Sequence, residues 1–274
     1  VAKRAVRAAI LTIEGTNCDE ELARGIRAVG GRPEVLHLKR LDPSAGRRRR
    51  RLSEFDLLLF PGGFSAGDYV RAGAILAARV RATIGDDLEE FVRAGHLVGG
   101  ICNGFQTLTE LGLLPGRPDG RLGPPEAALM PNDSGHFECR PTYCTWTGGA
   151  FGPLRAIPAG ERYLFPSAHA EGKLVLPGAP GRRLQELEAS GQILFRWAAP
   201  DHGAPVYPWN PNGSEGDVAG LSNPAGNVFG LMPHPERSLE RWQTPEWTRE
   251  ATTGRWADGY RFLSAVVNYA AERR

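Results

Sequence analysis

Cys102 lies at the centre of Gly99-Gly100-Ile101-Cys102-Asn103-Gly104-Phe105-Gln106, after the apolar pair Leu97-Val98 and ahead of a helix-compatible run to Leu111. The pattern Gly100-x-Cys102-x-Gly104 is the cysteine counterpart of the G-x-S-x-G nucleophile elbow. Small residues two positions to either side let the backbone turn tightly enough to expose the central side chain. A thiol in this place also sits at a helix N-terminus, where the aligned peptide dipoles favour negative charge on sulfur. Such a nucleophile needs a base, and Met232-Pro233-His234-Pro235-Glu236-Arg237 offers one. In an extended segment residues two apart point the same way, and Pro233 and Pro235 restrict their predecessors toward extended conformations. The Glu236 carboxylate then fixes one ring nitrogen of His234 and leaves the other to take a thiol proton, which is the logic of a triad. A third segment, Pro61-Gly62-Gly63-Phe64-Ser65-Ala66-Gly67-Asp68, supplies glycines that let backbone N–H groups turn toward a developing oxyanion.

Each segment taken alone has a plainer reading. The octapeptide also fits a buried, inert thiol beside packing glycines, the Pro-Gly-Gly stretch a strand-ending turn, and His234 a surface loop histidine. The three together favour nucleophilic chemistry, because each directly follows an apolar strand. In open parallel sheets such loops gather at the carboxyl ends of the strands, where ligands bind.

The positioning elements are legible as an alternation. Strands are expected over Val6 to Ile13, Pro33 to Leu38, Phe55 to Phe60 and up to Ile101. Helices are expected over Glu20 to Val29, Ala72 to Val80, Asp86 to Ala94 and after Cys102. This alternation predicts an α/β fold, an open and mostly parallel sheet with helices on both faces. From Leu114 to about Pro180 proline and glycine become frequent, which predicts loops and short antiparallel strands appended to the sheet. Strands follow at Gln192 to Arg196, Val218 to Ser222 and Val228 to Met232, with a turn at Asn223 to Asn227 and a closing helix over Asp258 to Ala270. The whole span, 1–274, reads as one domain.

The 274 residues are 41% hydrophobic and 23% charged, and no apolar run reaches the roughly 18 residues of a membrane span. With 33 basic against 31 acidic residues the net charge is +2, which argues for neither a nucleic-acid nor a membrane partner. The run Arg47 to Arg51 reads as an exposed loop. Four cysteines and an N-terminus that runs straight into a strand lead to the expectation of a reduced, cytoplasmic protein. His136, Cys139 and Cys144 lie close in sequence but form no paired C-x-x-C set, so no metal is expected.

The segments around Cys102 and His234-x-Glu236, with Pro61 to Tyr69, resemble the nucleophile, base and oxyanion motifs of class I glutamine amidotransferases. More narrowly they resemble the glutaminase subunits of phosphoribosylformylglycinamidine synthase. Supporting segments are Gly15 to Asp19, Asn132 to Arg140, Ala168 to Gly172, Asn212 to Ser214 and Asp217 to Gly220, so the likeness spans about residues 5 to 270. The Arg47–Arg51 loop, the proline-rich Gly116 to Met130 and the stretch Trp242 to Trp256 depart from the compact family pattern.

The resemblance implies the class I amidotransferase, flavodoxin-like fold and hydrolysis of glutamine to glutamate and ammonia through a thioester on Cys102. The N–H groups of Gly63 and Asn103 are then the oxyanion donors, and Gln106, Phe64, His169 and Glu171 the substrate-side residues. No G-x-x-x-x-G-K-[ST] phosphate loop is present, so no cofactor is expected in this chain. The family implies that ATP and Mg serve a large partner synthetase, often with a small accessory subunit, which uses the ammonia to convert formylglycinamide ribonucleotide to its amidine in purine biosynthesis.

Overall fold

The structure is a computed structural model that describes residues 4–249 and 254–273. It begins with β1 (Arg7–Thr12), α1 (Asp19–Ala28), β2 (Arg32–His37) and β3 (Leu57–Phe60), close to the segments that apolar patterning marks. The two helices expected over 72–80 and 86–94 are instead one, α2 (Ala74–Arg93), in which Ile84 departs from helical dihedrals (φ −138°). Thr83, Ile84 and Gly85 are weak helix formers, and packing carries the helix through them. Then come β4 (Leu97–Ile101) and α3 (Asn103–Glu110).

The middle region holds the expected short antiparallel strands and adds two long ones. Short strands are present, β5 (Ala128–Met130) paired antiparallel with β8 (Lys173–Val175), but β6 (Glu138–Trp146) and β7 (Arg162–His169) are long and belong to the main sheet. Pro141 and Pro166 break their apolar pattern in sequence, yet the two prolines sit on the same rung, so both missing N–H groups fall at one place in the ladder. The polar helix α4 (Arg182–Ala189) buries Leu187 and left too little apolar periodicity to be read. The chain ends through β9 (Ile193–Ala198), β10 (Val218–Ser222), β11 (Val228–Leu231) and α5 (Asp258–Glu272).

The nine-stranded sheet has the order β2-β1-β3-β4-β11-β10-β9-β6-β7. Pairing is parallel from β2 to β11 and antiparallel beyond it, so only β10 and β6 run against the rest. Helices cover both faces. Phe229 packs on Phe262 of α5, whereas the next residue, Gly230, lies against Phe105 of α3, and successive strand residues face opposite sides. Phe262 gathers Phe151, Phe165, Phe195 and Phe229 around it at centroid separations of 5.7 to 6.3 Å.

Arg47, Arg48 and Arg51 are exposed as expected, but Arg50 is not a free loop residue. It bridges Glu34 (2.9 Å) and Glu54 (3.1 Å) and lies over the Phe55 ring, so two carboxylates and an aromatic face hold it down. Cys139 is exposed and Cys144 buried, on opposite faces of β6, so the sequence neighbours His136, Cys139 and Cys144 do not converge.

Candidate active site

Four loops meet at the carboxyl ends of the adjacent strands β1, β3, β4 and β11. Three are the segments singled out in sequence. The fourth, Ile13 to Cys18 after β1, is an addition.

Cys102 occupies the elbow between β4 and α3 with φ 52° and ψ −106°, a strained conformation for a non-glycine residue. Its N–H donates to Leu231 O (2.7 Å), which ties the elbow to β11. The flanking glycines are required by close approach. A Cβ on Gly100 would lie 2.5 Å from the Gly104 backbone, and one on Gly104 would lie 2.0 Å from Phe60 O. The buried thiol donates to Ala168 O at 3.5 Å.

His234 is anchored by its N–H to Pro166 O (2.7 Å), and its Nδ1 meets Glu236 Oε1 at 2.6 Å. Both side chains are buried. Burial pulls the imidazole toward neutrality, but the Glu236 carboxylate and the sulfurs of Cys102 and Cys18 outweigh it, and the ring holds its proton well above the ordinary histidine range. Nε2 makes no hydrogen bond of good geometry and is the nitrogen left to exchange a proton.

Gly63 and Asn103 border this centre through their backbones. Gly63 faces Thr16 across an antiparallel bridge whose bonds run from Phe64 N–H to Gly15 O (2.9 Å) and from Asn17 N–H to Gly62 O (3.3 Å), which turns the Gly63 N–H away from that loop. The Asn103 N–H is the first of α3, with no acceptor inside the helix. The Asn103 side chain braces the oxyanion loop by accepting from Ser65 N–H (3.2 Å) and donating to Asp68 (3.2 Å) and Gln106 (3.0 Å).

The substrate-side residues of the sequence reading are less alike. Gln106 is buried and already committed, its Nε2 donating to Glu171 O at 2.5 Å. Glu171 accepts from Ala72 N–H (3.1 Å), and Phe64 is exposed, its ring 6.2 Å from Phe137. His169 is buried, with Nδ1 3.2 Å from Asn132 Oδ1. Desolvation and the nearby His234 push its pKa down to about 3, so its ring is neutral. Asp68, which the sequence reading placed in the oxyanion loop without giving its side chain a role, is pushed up to about 6 by burial and by Glu171. Only its place in three dimensions could reveal it.

A model of the CobB/CobQ-like glutamine amidotransferase domain matches residues 5–270. Among similar proteins, the phosphoribosylformylglycinamidine synthase subunit PurQ of Archaeoglobus fulgidus is 42% identical over 96% of this chain and 97% of its own. Its counterpart from Picrophilus torridus is 40% identical over 90% and 93%. The chain belongs to the PurQ group of glutamine amidotransferases. A chain in the structure of PurLQS from Thermotoga maritima superposes with a TM-score of 0.72 at 29% identity, covering 97% of this chain and 99% of that one.

In this amidotransferase the sequence reading missed two neighbours of the base. The Cys18 sulfur, a ring nitrogen of His234 and an oxygen of Glu236 all lie within 4.8 Å of one another, and Arg237 donates to Cys18 Sγ at 3.1 Å. Arg237 stood in the same hexapeptide as His234, and Cys18 in a segment that served only as a family mark. Among the described residues no helix is long and apolar enough to cross a membrane. The departing stretch 242–256 lies partly outside them; within them, Trp256 stacks on Tyr260 at 4.1 Å.

Proposed function

We propose that this chain, acting as one glutaminase domain over its length, is the ammonia-producing subunit of a phosphoribosylformylglycinamidine synthase. His234 Nε2 holds the proton of the Cys102 thiol, and the Cys102 sulfur attacks the carboxamide carbon of glutamine. The Gly63 and Asn103 N–H groups receive the oxyanion, and His234 returns the proton to the departing ammonia. Water then hydrolyses the thioester to glutamate, again with His234 as base and Glu236 holding the ring. The observation that carries this reading is the buried 2.6 Å pair of His234 and Glu236 beside a cysteine held at positive φ. Gln106, already bonded to the Glu171 backbone, lines the substrate site with Glu171, while Phe64 and His169 border it.

Ammonia passes to a large synthetase subunit, with a small accessory subunit, where ATP and Mg drive amidation of formylglycinamide ribonucleotide in the cytoplasm. The test is synthesis by the reconstituted complex. Cys102→Ala should lower the glutamine-dependent rate by more than about 10³-fold and spare the ammonia-dependent rate. Equal loss of both would assign Cys102 a structural role.

A further inference from the structure

We infer that Cys18 is a positioning residue of this active site, a second sulfur that holds the His234 ring in the orientation from which it serves Cys102. Throughout the proposed cycle the ring must keep Nδ1 on Glu236 and Nε2 toward Cys102, and one hydrogen bond leaves it free to rock. Gly62 and Cys18 close the remaining flank. A Cβ built on Gly62 would lie 2.7 Å from His234 Cε1, 3.0 Å from Cys18 Sγ and 3.5 Å from Cys102 Cβ, so the ring edge and both cysteines crowd the space that a missing side chain leaves.

Cys18 is itself held from four directions. Its N–H donates to Gly62 O (3.3 Å), its carbonyl accepts from Leu22 N–H (3.1 Å), its thiol donates to Asn17 Oδ1 (3.1 Å) and its sulfur accepts from Arg237 (3.1 Å). The proton on Cys18 is thereby directed to Asn17 and a lone pair to Arg237, so this thiol flanks the base without competing with Cys102 for it. Arg237 follows His234 by three residues in the same loop, and Cys18 therefore fastens the loop after β1 to the loop after β11 at the catalytic base. Cys18 also belongs to the groups that raise the affinity of His234 for a proton. Its loss should make the imidazole release its proton at lower pH.

This inference rests on the glutaminase reading, so the wild-type complex is assayed first; an inactive wild type overturns that reading and not this one. In an active complex, Cys18→Ala should lower kcat for glutamine hydrolysis by about 10- to 100-fold with KM for glutamine within about twofold, since misplaced geometry, not binding, is affected. The limb of the kcat/KM pH profile that belongs to His234 should move to lower pH. Cys18→Ser keeps a donor and an acceptor in place and should recover kcat to within about threefold, with its limb still below that of the wild type because a hydroxyl is less polarisable. If Cys18→Ala does not fold, the pH limb of Cys18→Ser decides. An unshifted profile in either folded variant, or a rise in KM with kcat unchanged, overturns the proposal.

Discussion

At the scale of single residues, the active site depends on a glycine that carries no chemistry of its own. The side-chain space of Gly62 is taken by His234, Cys18 and Cys102, all of them side chains that yield by tenths of an ångström. Gly62→Ala should therefore fold, with a thermal midpoint near that of the wild type, yet lose glutaminase activity by about 10²-fold because the base no longer meets the thiol. Gly104→Ala differs in kind. Its Cβ would lie 2.0 Å from the backbone oxygen of Phe60, which cannot move without the sheet, so this variant should fail to accumulate as folded protein. Circular dichroism melts beside activity assays separate the two, and a fully active Gly62→Ala would refute the crowded geometry. Cys102, His234 and Glu236 were legible in sequence because their signals are local, a glycine on either side of an elbow and a carboxylate two residues from an imidazole. Cys18 was not, since its partner lies 219 positions away.

At the scale of elements, the strands of the parallel half announced themselves through apolar runs bounded by turns. The last two strands of the sheet, β6 and the edge strand β7, did not, because proline in each suggested loops and only their pairing showed that the two prolines share a rung. The arginine run shows the same limit. Arg47 and Arg50 are alike in sequence, but only Arg50 joins β2 to the turn before β3 through Glu34 and Glu54 and covers Phe55. Arg50→Ala should cost about 1 kcal/mol of unfolding free energy, a networked and partly buried pair with an aromatic face. Arg47→Ala should change it by less than about 0.5 kcal/mol. Urea midpoints at matched slope measure both, and equal effects would contradict the distinction.

At the scale of the molecule, α5 joins the parallel and antiparallel halves beneath the site. Phe262 packs on rings from β7, β9 and β11, and Gly259 approaches the catalytic loop so closely that a Cβ would lie 1.9 Å from Pro235 O. Phe262→Ala should destabilise the fold by about 3–5 kcal/mol, read as a lowered urea midpoint, and a loss below about 1 kcal/mol would show that α5 is not the clamp. The amino-acid sequence by itself marked the proposed nucleophile, its proposed base, the carboxylate beside it and the parallel frame, since each is written in spacings of two residues or in one strand-length run. Tertiary structure alone decided which strands border one another. That adjacency brought the loop after β1 into the site, made Cys18 a neighbour of His234 and Arg237, and turned Gln106 toward the Glu171 backbone. Contacts between distant segments depend on how the sheet is ordered and how its faces pack, and neither leaves a local pattern in the chain.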